Sequence, residues 1–90
     1  MVKQTIVVQN ETGLHARPAA RFVQLASKFK SEISVLKVEE GERINAKSIM
    51  GIMSGGISQG TLISIEAEGE DEDEAVASLI RLVESNLDEA

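Results

Sequence analysis

Gly13-Leu14-His15-Ala16-Arg17-Pro18-Ala19-Ala20 joins a strand-like opening to a segment of helical period, and it holds the only histidine among 90 residues. Downstream, Ala19, Phe22, Val23, Ala26 and Phe29 keep the i, i+3, i+4, i+7 spacing of a buried helical stripe, so a helix starts just after His15. The first turn of a helix carries unpaired backbone N–H groups and a partial positive charge. Pro18 fits there because it lacks an N–H that would find no intrahelical partner, and Gly13 frees the loop to bring its backbone in tightly. An anion beside His15 would therefore meet the amides of Ala16 and Arg17 and the Arg17 guanidinium. A lone histidine is otherwise a surface residue or a helix cap, and a lone arginine an ordinary solvated cation. Set together at a helix start, they suggest one working imidazole with a charged neighbour.

The flanking elements follow from local pattern. Residues 2–8 are rich in β-branched side chains and end at the polar turn Gln9-Asn10-Glu11-Thr12-Gly13, giving strand, loop, helix. Residues 32–38 and 42–46 flank Glu39-Glu40-Gly41, whose glycine can take the positive φ of a hairpin, so these two strands pair antiparallel. Residues 47–54 suffice for at most two helical turns. Gly55-Gly56 and Gly60 mark a loop before Thr61-Leu62-Ile63-Ser64-Ile65-Glu66-Ala67, an alternating strand expected to have one apolar and one wet face. The last helix carries Ala75, Val76, Leu79, Ile80, Val83 and Leu87 behind an acidic start in which Asp71 and Glu74 have capping-box spacing. The order βαββαβα, with amphipathic helices able to cover one face of a four-stranded sheet, is an α/β (α+β) two-layer open-faced sandwich. No repeat or linker divides residues 1–90, so a single domain is expected.

Composition narrows the function. Hydrophobic residues make up 42% with two aromatics, which is an aliphatic core. With zero cysteines there are no disulfides or thiolate metal sites, which suits a reducing compartment. The opening Met1-Val2-Lys3-Gln4-Thr5 has no apolar signal region, and no run approaches the roughly 18 residues of a membrane span. A cytoplasmic protein is expected. The net charge of −6 argues against nucleic-acid and anionic-membrane partners, which are held largely by Lys and Arg. The acidic run 68–74 lacks the spacing of a calcium loop and reads as helix capping with solvated charge. No metal or cofactor is expected.

The histidine octet resembles the active-site segment of HPr, the histidine-containing phosphocarrier family of the bacterial phosphoenolpyruvate:sugar phosphotransferase system. A second segment, Asn45-Ala46-Lys47-Ser48-Ile49-Met50-Gly51-Ile52-Met53-Ser54, is similar to the regulatory-serine signature of the Gram-positive-type members. The resemblance extends over essentially the whole chain. It implies an antiparallel sheet in the order 1-4-2-3 with three helices on one face. It also implies a protein that is not itself an enzyme: His15 accepts a phosphoryl group on Nδ1 from enzyme I and passes it to EIIA domains of sugar permeases, with Arg17 stabilising the group. Neutral imidazole suits the task, because its nitrogen attacks phosphorus without first losing a proton and the N–P bond stays reactive.

Ser48 reads as an N-cap and, by resemblance, also as a phosphorylation site, with an HPr kinase/phosphorylase and a catabolite-control transcription factor as partners. Ile49, Met50, Ile52 and Met53 cannot all point inward on so short a helix, so part of this set is an exposed docking patch. Two departures stand out. The hairpin near Glu39-Glu40-Gly41-Glu42 is slightly longer than the family pattern, and Gly55 stands where many relatives carry leucine, which shrinks the docking patch. A monomer is expected. Two alternatives share the fold: a catabolite-repression binding module acting through phospho-Ser48, and a small anion-binding interaction domain without transfer chemistry. Regulatory paralogues of the first kind lack the histidine, so His15 tells against it as the sole function.

Overall fold

The computed structural model describes residues 1–88. Its elements are β1 (Val2–Val7), α1 (Ala16–Ala26), β2 (Glu32–Lys37), β3 (Glu42–Asn45), α2 (Ile49–Ser54), β4 (Leu62–Glu68) and α3 (Glu72–Glu84), followed by a short 3₁₀ turn, Asn86–Asp88. The strands form one antiparallel sheet in the order β1-β4-β2-β3. The ladder runs one residue past β2 and β3, since the Val38 N–H donates to the Leu62 carbonyl at 3.1 Å and that of Ala46 to Ile33 at 3.0 Å. Gly41 closes the hairpin at φ +74° and donates to the Lys37 carbonyl at 2.8 Å.

Alternation along β2 sends Ile33 and Val35 into the core with Ile63, Ile65 and Ala67 of β4. The helices close over that face with Phe22, Ile52, Val76, Leu79 and Val83. Phe22 is the largest fully buried side chain, which suits an otherwise aliphatic interior. α1 lies between α2 and α3. Lys47 ties its far end to the start of α2 by donating from Nζ to the Phe29 carbonyl at 2.7 Å.

Four expectations need correction. Phe29 lies beyond α1 and only half-buried, because α1 ends at Ala26 and the following turn carries Phe29 against the core margin. β4 is not wet on its second face: Ser64 and Glu66 are buried there, since β4 is flanked by β1 and β2, and Glu66 is covered by an ion pair with Arg43 at 2.9 Å. Leu87 belongs to the core but not to α3, which stops at Glu84; the chain turns through left-handed φ at Asn86 and Leu87 to bury it.

The capping box at Asp71 and Glu74 does not form. Asp71 instead accepts from the backbone N–H groups of Lys30 at 2.8 Å and Ser31 at 2.9 Å, and from the Ser31 hydroxyl. These donors, the hydroxyl foremost, hold its carboxyl down at about 2. Glu72 folds back instead to accept the Gly69 N–H, ahead of the helix, at 3.0 Å. The sequence spacing identified a cap; a contact some 40 residues away in the chain captured the side chain meant for it.

Candidate functional site

The loop before α1 is built by Asn10 and Gly13. Asn10, almost fully buried, donates from Nδ2 to the Gly13 carbonyl at 2.9 Å, while its own carbonyl accepts the Gly13 N–H at 3.2 Å. Gly13 sits at φ +63°, and a Cβ there would run into the Ile57 carbonyl oxygen and lie 2.7 Å from the Ser58 Cα. Glycine is thus required twice, for the backbone angle and for the close approach. That approach lets the Leu14 N–H donate to Ile57 at 2.9 Å, with the Leu14 side chain fully buried. The histidine loop is in this way fastened to the segment following α2.

His15 is the N-cap of α1, with extended backbone (φ −130°, ψ 156°) and a side chain that makes no capping hydrogen bond. The imidazole is half-buried and uncommitted to the helix. Ala16, the first helical residue, has φ +53°, a left-handed conformation that costs an L-residue roughly 1–2 kcal/mol. Such strain persists where surrounding structure over-determines it, and it clusters at functional sites. Here Leu14 on one side and buried Pro18 and Ala19 on the other hold it.

The amides of Ala16 and Arg17 have no backbone partner among the described residues, and Pro18 brings no N–H to compete. The Arg17 side chain is exposed and enters no ion pair among the described residues. A cleft of about 690 Å³ opens beside this mouth, lined by Asn10, Thr12, Ala16, Arg17, Arg21 and Asn86 among others, and His15 stands just outside it. The anion-positioning groups expected of the sequence thus converge on one helix mouth. Sequence reasoning missed Asn10 as the residue that closes the loop, although asparagine three positions before a glycine was the available signal.

Ser48 caps α2, its Oγ accepting the Gly51 N–H at 3.0 Å. Met50 is 77% exposed, Met53 42% and Ile49 38%, so these three form the apolar patch. Ile52 is a correction: it is fully buried and anchors α2 to the core, so it cannot dock a partner. A Cβ at Gly55 would run into Ile44 Cδ1, so Ile44 from β3 occupies the space that a larger residue at position 55 would need.

Charge is segregated along the chain. Segments 12–31 and 44–65, which contain α1 and α2, carry five of the nine basic residues and none of the fifteen acidic ones, while Arg43 on β3 is paired with Glu66. The two helices pack together. A chain of net charge −6 therefore presents one electropositive face, and that face bears both His15 and Ser48. Among the described residues no group of His, Cys, Asp or Glu could hold a metal ion, and no helix is long and apolar enough to cross a membrane.

An uncommitted imidazole, two open amides and a guanidinium thus lie at one helix mouth on an open-faced sandwich, and comparison with known proteins gives the class, a phosphocarrier family. The family profile described as PTS HPr component phosphorylation site matches residues 2–85. The HPr-like protein Crh of Halalkalibacterium halodurans is 50% identical over 84 residues, covering 93% of this chain and 98% of that protein. The phosphocarrier protein HPr of Neisseria meningitidis serogroup A is 47% identical, covering 92% and 91% respectively. HPr-C-His from Thermoanaerobacter tengcongensis, a solved structure, superimposes with a TM-score of 0.95 at 56% identity, covering 100% of this chain and 99% of its own. HPr from that organism is also solved as a dimer. The chain belongs to the HPr family, whose members are phosphocarrier proteins and not enzymes.

Proposed function

We propose that this chain carries phosphoryl groups in the phosphoenolpyruvate:sugar phosphotransferase system, receiving them from phosphorylated enzyme I on His15 and delivering them to EIIA domains. The observation that carries the reading is the histidine itself, at the N-cap with its ring unused by the helix. Nδ1 attacks the donor's phosphorus and the new N–P bond forms as the donor's own bond to phosphorus breaks; a second displacement, by a nucleophile of EIIA, then breaks the N–P bond and returns the imidazole. The Ala16 and Arg17 amides and the Arg17 guanidinium hold the phosphoryl oxygens by charge-assisted hydrogen bonds. A carrier needs moderate stabilisation, so that the group can leave again. The electropositive α1–α2 face suits acidic partner surfaces, and the apolar patch of Ile49, Met50 and Met53 supplies contact area. The reading places the protein in the cytoplasm as a monomer, which sedimentation at micromolar concentration tests against the dimers known among relatives.

Ser48 supports a second, regulatory role. A phosphate there would be favourable at the start of α2 while adding up to two negative charges to the electropositive face. An HPr kinase/phosphorylase and a catabolite-control transcription factor are the partners this role entails. Similarity to Crh of Bacillus subtilis, described as a catabolite repression HPr, favours including it; His15 makes it an addition to transfer and not a replacement. The deciding experiment is incubation with phosphoenolpyruvate and enzyme I followed by phosphorus NMR. An acid-labile phosphohistidine is expected in the wild type and not in His15→Ala, and its persistence in that variant refutes the assignment.

A further inference from the structure

All of the chain's sulfur lies in three methionines, since cysteine is absent. Two of the three, Met50 and Met53, are exposed on the six-residue helix that Ser48 caps, and the third, Met1, is the N-terminal residue. The helix does not depend on them for its place in the fold: Ile52 is its buried anchor, and Ser48 and the Ile52–Ser48 backbone bond at 2.9 Å secure its first turn. The two thioethers therefore contribute surface character more than stability. They also sit where a polar change would matter, in an apolar patch on the electropositive face.

We propose that Met50 and Met53 form a peroxide-sensitive modification site that switches the docking face off without unfolding the protein. This rests on the phosphocarrier reading above. The thioether sulfur attacks the distal oxygen of a hydroperoxide, an S–O bond forms, the O–O bond breaks, and the remaining fragment leaves as water or an alcohol after proton transfer. Sulfur loses two electrons and the peroxide gains them. The flexible apolar side chain becomes a polar, chiral sulfoxide with a strong hydrogen-bond acceptor. Burying that acceptor against a partner's apolar contact leaves it unsatisfied, which opposes association. Sulfoxide formation is reversible by methionine sulfoxide reductases, so the change can be undone.

The test treats the protein with hydrogen peroxide, maps sulfoxide by peptide mass spectrometry, and measures His15 phosphorylation against enzyme I concentration. Wild type and the double variant Met50→Leu, Met53→Leu are each compared with themselves, oxidised against reduced, whatever the variant's own starting rate. Oxidised wild type should require about tenfold more enzyme I, equivalent to about 1.4 kcal/mol of association free energy. Its far-ultraviolet circular dichroism should be unchanged, and reductase with dithiol should restore it. The double variant, left with Met1 alone, should show no such ratio. Coincident oxidised and reduced curves for wild type, or an equal loss in the double variant, would overturn the inference while leaving the carrier role intact. Failure of reduced wild type to accept any phosphoryl group would instead remove the carrier reading and this inference with it.

Discussion

Replacing Gly13 with alanine separates backbone strain from steric exclusion, because the hairpin supplies an internal control. Gly41 also has a left-handed φ, +74°, but nothing lies within 4 Å of the position its Cβ would take. At Gly41 an alanine meets the conformational cost alone, roughly 1–2 kcal/mol. That is partly offset by the loss of about 0.4–1 kcal/mol of unfolded-state entropy that glycine carries, leaving a net loss of about 0.5–1 kcal/mol. At Gly13 the same cost is joined by overpacking against backbone atoms of Ile57 and Ser58, typically about 1–3 kcal/mol. Strain on the Leu14–Ile57 hydrogen bond adds up to about 1 kcal/mol.

Gly13→Ala should therefore lose about 2.5–4 kcal/mol. For a domain of this size about 1 kcal/mol moves Tm by roughly 4–8 °C, so Gly41→Ala should melt about 2–8 °C lower and Gly13→Ala more than about 10 °C lower. Thermal scans followed by far-ultraviolet circular dichroism suit a chain without Trp or Tyr. Phosphoryl acceptance at a temperature where both variants are folded should fall for Gly13→Ala only, since that change displaces the residue that leads into His15. Equal melting losses for the two alanines would refute the close-approach argument.

Asp71→Asn should lower the urea midpoint at pH 6 and converge on wild type as pH falls from about 4 towards 2. Hydrogen bonds from the Ser31 hydroxyl and the Lys30 N–H hold the folded carboxyl down at about 2, below the usual carboxylate range, so its contribution is complete above the unfolded value and disappears as pH drops through the folded one. A constant gap across that range would contradict the latch to Ser31. Arg17→Lys keeps a charge but loses the planar fork, so transfer to EIIA should slow by about tenfold, or about 1.4 kcal/mol of barrier, with melting unchanged; stopped-flow transfer rates check it. Ser48→Asp should raise the enzyme I concentration needed for half-maximal phosphorylation, less so at high salt; identical curves would reduce Ser48 to a cap. Gly55→Leu should destabilise the wild-type background and be partly tolerated beside Ile44→Ala, and additive losses in a double-mutant cycle would deny that the two compete for space.

Where local chemistry governed, the sequence was readable. The stripe of Ala19, Phe22 and Ala26, the turn glycine at 41 and the Ser48 cap all act within a few residues of themselves, and the structure places each as expected. What could not be read depended on contacts distant in the chain. Asp71 was diverted from its own helix by Ser31, Glu66 was buried by Arg43 across the sheet, and Leu87 reached the core by a left-handed turn that helical periodicity cannot express. At the site, the charge asymmetry was present in the residue order, but only the packing of α1 on α2 turned two acid-free segments into one face. The left-handed Ala16 has no residue-type signal, since alanine is unremarkable at a helix start.

Ser48 lies in a stretch with little slack. Asn45 Oδ1 accepts the Lys47 N–H at 3.0 Å, the Lys47 ammonium holds the Phe29 carbonyl, Ala46 is paired to Ile33, and the serine's own oxygen is engaged by Gly51. An enzyme that modified this hydroxyl would meet a conformational epitope assembled from the turn after α1, β2 and α2, not a linear motif. A synthetic peptide spanning 43–55 would keep the residues next to Ser48 in sequence but lose Phe29 and Ile33 and almost all of the shape, so recognition of this hydroxyl would double as a check that the substrate is folded.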